Sequence, residues 1–255
     1  MVKVIVVMPA YNAAKTLEPT IKGLPSVYEK IIVCDDASRD ETVRVSRSLN
    51  CVTLTHSSNR GYGANQKTLY NEALKYNPDI VIMVHPDNQY ETSRLADMID
   101  LILDKKMNLV LGVRTKTALK NHMPLWKFMS NRGLTRIQNL VFKRSLLEYH
   151  TGLRVYDGKM IKAMPYKKFS NNFCFDSEVL AWVIANGYRI SEVDAQCFYT
   201  SESSSIKFFP SVKYGLDTLR ILKRFRNGYY TNLADYKNKT GKKLIPADEQ
   251  NSLES

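Results

Sequence analysis

VKVIVVMPAYN (residues 2–12) runs apolar and β-branched from Val2 to Met8, interrupted only by Lys3, and breaks at Pro9 into a polar turn. Apolar residues at consecutive rather than alternate positions predict a parallel strand covered on both faces. The run is too short for a signal peptide's apolar core followed by a cleavage site, so it reads as a strand. Outward from it, Ala14–Gly23 predicts a helix closed by Gly23 and Pro25, and KIIVC (30–34) a second buried strand ending at Asp35-Asp36. A helix follows over Asp40–Leu49, with Ser38 or Asp40 as its N-cap, then a short strand over Val52–Thr55. Gly61 and Gly63 lead into a helix reaching Tyr76, DIVIMV (79–84) is a fourth strand, Thr92–Asp104 a helix and Leu109–Val113 a fifth strand. Strands alternating with helices across short connections predict an α/β fold, a doubly wound, mostly parallel sheet with helices on both faces. Ligands of such sheets sit at the carboxyl ends of the strands. The polar clusters Pro9–Asn12, Asp35–Asp40 and His85–Tyr90 all fall there.

The second half is less regular. Helices are expected over Ser130–Phe142 and Asp176–Asn186, a strand near Arg189–Val193, and an amphipathic helix near 208–226, where Phe209, Val212, Leu216, Leu219 and Leu222 recur at three- and four-residue spacing. The expected organisation is one domain over 1–226, with halves 1–113 and 114–226, and a polar, basic tail over 227–255. The 255-residue chain carries a net charge of +12, which calls for an anionic partner: nucleic acid, a phosphorylated substrate or an acidic membrane surface. Cys34, Cys51, Cys174 and Cys197 form no CxxC pair, which argues against a zinc site or disulfide framework and for reduced thiols in the cytoplasm. No stretch approaches the ~18 apolar residues of a membrane span.

Four segments come in fixed order, three of them at predicted strand ends: VVMPAYN (6–12), VCDDASRDET (33–42), NRGYGAN (59–65) and MVHPDNQY (83–90). Together they resemble the family 2 glycosyltransferases of GT-A fold, nearest the branch of dolichyl- and polyprenyl-phosphate sugar transferases, over roughly residues 1–200. The resemblance implies a transferase that moves a sugar from a UDP- or GDP-sugar to a lipid phosphate or glycan acceptor with inversion. It makes 1–113 the nucleotide-sugar-binding half and 114–226 the acceptor half.

The turn Pro9, Ala10, Tyr11 and Asn12 can set backbone groups against a nucleobase or ribose. Asp36, just past a buried strand, can accept from a base N–H or ribose hydroxyl; the resemblance makes it the nucleoside contact, with Asp35 close by, while both carboxylates also suit a helix cap. Gly61 and Gly63 let backbone pass close to a nucleotide. His85-Pro86-Asp87 occupies the place of the family's DxD motif, in which the last Asp holds Mg²⁺ or Mn²⁺ against the diphosphate. With His85 in the first position, the metal role falls on Asp87, assisted by Gln89, and His85 is left to contact ribose or phosphate. Asp176 and then Glu178, in FDSE at a helix start, resemble the family's base position, though Asp and Glu there also describe a cap and dipole complement. A lipid-phosphate acceptor, already anionic near neutral pH, needs no base.

TGLRVY (151–156) resembles a TGxRxY segment, where Arg154 meets phosphate or forms a structural ion pair. Ser204 and Lys207 sit where relatives carry a loop closing on the diphosphate. From Lys207 to Lys243 ten Lys or Arg face two acidic residues, so the 208–226 helix fits either its own core or, as a basic amphipathic helix, the cytoplasmic face of a membrane. Two other functions fit less well. A nucleotidyltransferase would show a Gly-rich loop after the first strand, which PAYNAAKTL lacks. A nucleic-acid-binding protein would show a recognisable motif beneath its charge, and none is present.

Overall fold

The computed structural model describes residues 2–90, 92–113, 125–195 and 208–233. The first half follows the expected alternation: β1 (Val4–Ala10), α1 (Leu17–Lys22), β2 (Lys30–Asp35), α2 (Thr42–Ser48), β3 (Val52–Thr55), α3 (Tyr62–Leu74), β4 (Ile80–Val84), α4 (Leu95–Leu103) and β5 (Leu109–Val113). Beyond it come α5 (Leu125–Phe142), β6 (Leu153–Asp157), α6 (Gly158–Ala163), α7 (Phe175–Ala185), β7 (Ile190–Asp194), α8 (Phe208–Arg226) and the short α9 (Tyr229–Asn232).

The strands form one seven-stranded sheet in the order β3-β2-β1-β4-β6-β5-β7. β1 pairs in parallel with β2 and β4, β2 with β3, and β5 with β7, whereas β6 runs antiparallel between β4 and β5. Alternation along β1 explains why it must be apolar throughout. Ile5 and Val7 enter one core with Leu69 of α3 and Val179 of α7, while Val4, Val6 and Met8 enter the other with Leu17 of α1 and Met98 of α4.

β6 is the strand that periodicity misses. Leu153, Val155 and Tyr156 are apolar and fully buried, but Arg154 interrupts the run and is itself completely buried. The expected α8 stripe also divides: Leu222 packs into the core, whereas Leu216 and Leu219 are exposed. Phe209 and Val212 lie where side chains are not described.

Candidate functional site

At the carboxyl ends of β1, β2 and β4 lies a cleft of about 490 Å³, the size of a small-ligand pocket. Its walls include Pro9–Asn12, Asp36, Gly61, and His85-Pro86-Asp87, so all four sequence segments converge there through residues singled out in them.

The loops are stapled by side chains acting on backbone. Asn12 takes a positive φ of 51°, which Asn tolerates better than most residues. Its N–H donates to Ser38 Oγ at 2.7 Å, and its Oδ1 accepts from the Arg39 N–H at 2.9 Å. Asp40 Oδ2 accepts from the Ala14 N–H at 3.0 Å, and its Oδ1 accepts from the Thr42 N–H at 3.1 Å, but the N-cap position of α2 falls to Glu41 rather than to Ser38 or Asp40.

Asp36 lines the cleft, but its carboxylate is already engaged. Oδ1 accepts from the Arg60 N–H at 2.9 Å and lies 2.6 Å from His56 Nδ1, while Oδ2 accepts from the Gly61 N–H at 2.9 Å. His56 in turn reaches Thr68 Oγ1 through Nε2 at 2.9 Å. Asp36 therefore shapes the Arg60–Gly61 wall of the cleft. His56 was missed because a lone histidine after a short strand carries no motif. Asp35 is buried outside the cleft wall; its Oδ2 accepts from the Ser38 N–H at 3.0 Å, and its Oδ1 has no hydrogen-bond partner among the described residues.

Gly61 lines the cleft, and both glycines also make a close contact that the sequence does not announce. A Cβ on Gly63 would lie 2.2 Å from the Ser170 carbonyl oxygen, and one on Gly61, at φ 92°, would lie 2.6 Å from that of Asn171. The close approach is to the protein's own 170–171 backbone, whose Asn171 carbonyl accepts from the Gly63 and Ala64 N–H groups at 2.8 and 3.2 Å and so caps α3.

His85, first residue past β4, lies against Gly152: a Cβ there would meet the imidazole at 2.9 Å. Its Nε2 is 2.8 Å from Tyr62 Oη, and Tyr62 donates its only proton to Asp176 Oδ2, also at 2.8 Å. Burial, followed by the neighbouring Asp176 charge, pushes the Tyr62 pKa well above its ordinary value, so that proton stays. It follows that His85 Nε2 carries a hydrogen and donates to Tyr62. Tyr62 also stacks on the exposed Phe173 at the cleft wall, with ring centroids 5.6 Å apart. Tyr62 sits inside the NRGYGAN segment and Phe173 beside FDSE; neither signalled a role because an isolated aromatic reads as core.

Asp87 lies in the cleft wall, its Oδ1 accepting from the Gln89 N–H at 3.2 Å. Thr16 Oγ1 donates to the Pro86 carbonyl and Thr20 Oγ1 accepts from the Asn88 N–H at 2.9 Å, fastening this turn to α1. The Gln89 side chain is buried away from the cleft wall, a correction to its expected place as a metal ligand. Among the described residues no three His, Cys, Asp or Glu side chains converge on a cation position. A divalent ion beside Asp87 would take that carboxylate from the chain and much of its shell from phosphate and water. Mg²⁺ is commonly held that way, so Asp87 fits a substrate-borne cation.

The expected bases are both committed. Asp176 accepts from Tyr62 and from Gln66 Nε2 (3.0 Å), and its Oδ1 lies 3.6 Å from Arg154 Nη1. Arg154 is sealed behind it, donating also to the Thr151 and Tyr149 carbonyls at 3.1 Å each. Burial works against its charge, but Asp176 together with Tyr156, Tyr62 and Tyr70 outweighs it and keeps the guanidinium protonated. Arg154 therefore forms the structural ion pair and does not reach the cleft. Glu178 is buried: its Oε2 accepts from the Ser170 N–H and its Oε1 from Tyr230 Oη at 3.1 Å, with Arg224 Nη1 3.6 Å away. Desolvation pushes its pKa up against those stabilising contacts. Glu178 ties α7 to the C-terminal helices and is no catalytic candidate. Ser204 and Lys207 lie outside the described residues.

Residues 5–164 match the family described as "Glycosyl transferase family 2". A protein of Methanocaldococcus jannaschii is 30% identical, across 80% of this chain and 84% of its own. The UDP-N-acetylglucosamine–dolichyl-phosphate N-acetylglucosaminyltransferase of Methanococcus voltae is 26% identical, across 77% of this chain and 86% of its own. Glucosyl-3-phosphoglycerate synthase from Mycobacterium tuberculosis, crystallised with Mn²⁺, UDP-glucose and phosphoglyceric acid, superposes with a TM-score of 0.68 at 13% identity, covering 88% of this chain and 80% of that one. At that identity the likeness is one of fold.

Proposed function

Because the chain belongs to glycosyl transferase family 2 and is a glycosyltransferase of GT-A fold, we propose that it transfers a sugar from a UDP-sugar to the phosphate of a polyprenyl-type lipid, with inversion at the anomeric carbon. The observation that carries the acceptor is the state of Asp176. Both of its oxygens are taken, by Tyr62, Gln66 and the buried Arg154, so the carboxylate at the family's base position is poorly placed to remove a proton. A phosphate monoester arrives already ionised and has none to lose. The relative from Methanococcus voltae, named for a UDP-sugar donor and a dolichyl-phosphate acceptor, supports the same choice.

In this reading Pro9–Asn12 and the loop held by Asp36 grip the nucleoside, and Asp87 sits beside the diphosphate. A divalent cation bound there would neutralise charge on the departing diphosphate. The residues around it do the rest. His85, its Nε2–H locked onto Tyr62, presents an imidazole of fixed orientation. The exposed face of Phe173 offers an apolar surface to a sugar ring. An oxygen of the acceptor phosphate attacks the anomeric carbon from the face opposite the nucleotide, the bond to the diphosphate oxygen breaks, and UDP leaves with the electron pair. Fixing donor and acceptor in line supplies much of the rate enhancement.

The test is turnover of UDP-sugars with polyprenyl phosphate against the corresponding polyprenol. Transfer is expected to the phosphate alone, and Asp176→Asn should keep the shape of the kcat–pH profile even where the rate falls. Transfer to polyprenol, with an acidic limb that disappears in Asp176→Asn, would make Asp176 a base and overturn the reading.

A further inference from the structure

The polarity of α5 is reversed relative to a helix that packs on a core. Towards the protein it buries Thr135 and Gln138, 6% and 1% exposed, alongside Phe142. Both amide atoms of Gln138 lack a hydrogen-bond partner among the described residues. Outward it presents Met129, Ile137 and Leu140, which are 63%, 42% and 81% exposed. With Gly133 these positions follow one another at four-, four- and three-residue steps, the spacing of a single helical face. Arg132, Arg136 and Lys143, all exposed, run along one edge of that stripe.

We propose that this face of α5 is a membrane-docking surface that seats the enzyme on an anionic bilayer. In choosing lipid as the partner, the inference rests on the lipid-phosphate reading above. Charge decides between the candidate occupants. From Lys105 to Leu147 the sequence has ten Lys or Arg and no Asp or Glu. A second copy of the chain would bring up the same basic rim with no carboxylate in the segment to pair with it, and like charges across an interface repel. An anionic bilayer satisfies both halves of the pattern: the boundary between headgroups and acyl chains takes Met129, Ile137 and Leu140, and the headgroups take the basic edge. The location suits the chemistry. The chain proceeds to α5 from the carboxyl end of β5, the sheet end that carries the cleft, and returns through Gly152, which lies against His85.

The experiment is co-sedimentation of the full chain with vesicles of equal parts phosphatidylcholine and phosphatidylglycerol, or of phosphatidylcholine alone. The paired variant Met129→Glu/Leu140→Glu is compared with Leu216→Glu/Leu219→Glu on α8, which introduces the same charge at exposed positions elsewhere. The wild type should bind the anionic vesicles only, less tightly as salt rises, and the α5 pair should weaken binding by at least about tenfold while the α8 pair changes it little. Absence of vesicle binding, binding that survives the α5 changes, or a dimer that those changes dissociate would each overturn the proposal. UDP-dependent thermal stabilisation, measured on the same samples, separates the two readings: UDP binding without vesicle binding sinks the docking face alone, and loss of both sinks the reading of the cleft as well.

Discussion

Gly152 and His85 occupy one volume, and neither can be understood alone. The imidazole in the first position of the HPD turn fits because residue 152 has no side chain. Gly152→Ala should push the ring off Tyr62 and cost about 1–3 kcal/mol of stability, the usual range for overpacking. Adding His85→Ala should recover part of that loss, because the clash has lost one member. Urea unfolding of the two single variants and the double variant measures the coupling, and strictly additive costs would show that the contact is unimportant. The sequence showed both residues in separate motifs but not their contact, which depends on β6 lying beside β4. For the same reason Asp36 was legible as a cleft residue while its hold on the Arg60–Gly61 backbone was not. That hold depends on how β3 returns, and no residue in the Asp36 segment announces it.

At the scale of elements, β1, β2, β4 and β5 were readable because each is a buried apolar run, and the half-buried β3 because it is a short strand between two helical stretches. β6 was not, since Arg154 sits in the middle of it and reads as a surface charge until Asp176 is brought across from α7. The start of α7 misled in the opposite direction. Asp and Glu two residues apart look alike in sequence, yet Asp176 faces the cleft cluster while Glu178 turns back toward Tyr230 and Arg224. Burial lifts the Glu178 pKa above its ordinary 4.5. Between the ordinary and the raised value the folded protein holds a proton that the unfolded chain has released, so stability falls as pH rises through that window. Glu178→Gln, which keeps an acceptor for Tyr230, should remove this component. The difference in unfolding free energy between wild type and variant should slope with pH just above 4.5, by no more than about 1.4 kcal/mol per pH unit for one proton. A difference independent of pH would contradict the assignment.

Across the whole molecule, a sheet with helices on both faces presents its loops at one end, and there three stapled turns make a cleft. That much followed from periodicity, since strand ends and polar clusters coincide along the sequence. The direction of the helical faces did not follow. On α8 the apolar stripe splits between core and solvent, and on α5 Met129, Ile137 and Leu140 point outward while Phe142 packs inward, because periodicity shows that a face exists and only packing shows which way it turns. No helix of the described residues is long and apolar enough to cross a membrane; in this account the outward face of α5 is where the enzyme meets a lipid-linked acceptor.

The cleft's identity as a site for a cation-bridged diphosphate is tested most directly by the melting temperature of wild type and Asp87→Asn with UDP, each with and without Mn²⁺. UDP should stabilise the wild type, by roughly 2.7 kcal/mol at a hundredfold excess over its Kd, and Mn²⁺ should enlarge the shift. Asp87→Asn should keep the metal-free shift and lose the increment that Mn²⁺ adds. A wild type that UDP leaves unmoved under either condition, or an Asp87→Asn variant that retains the full Mn²⁺ increment, would contradict it.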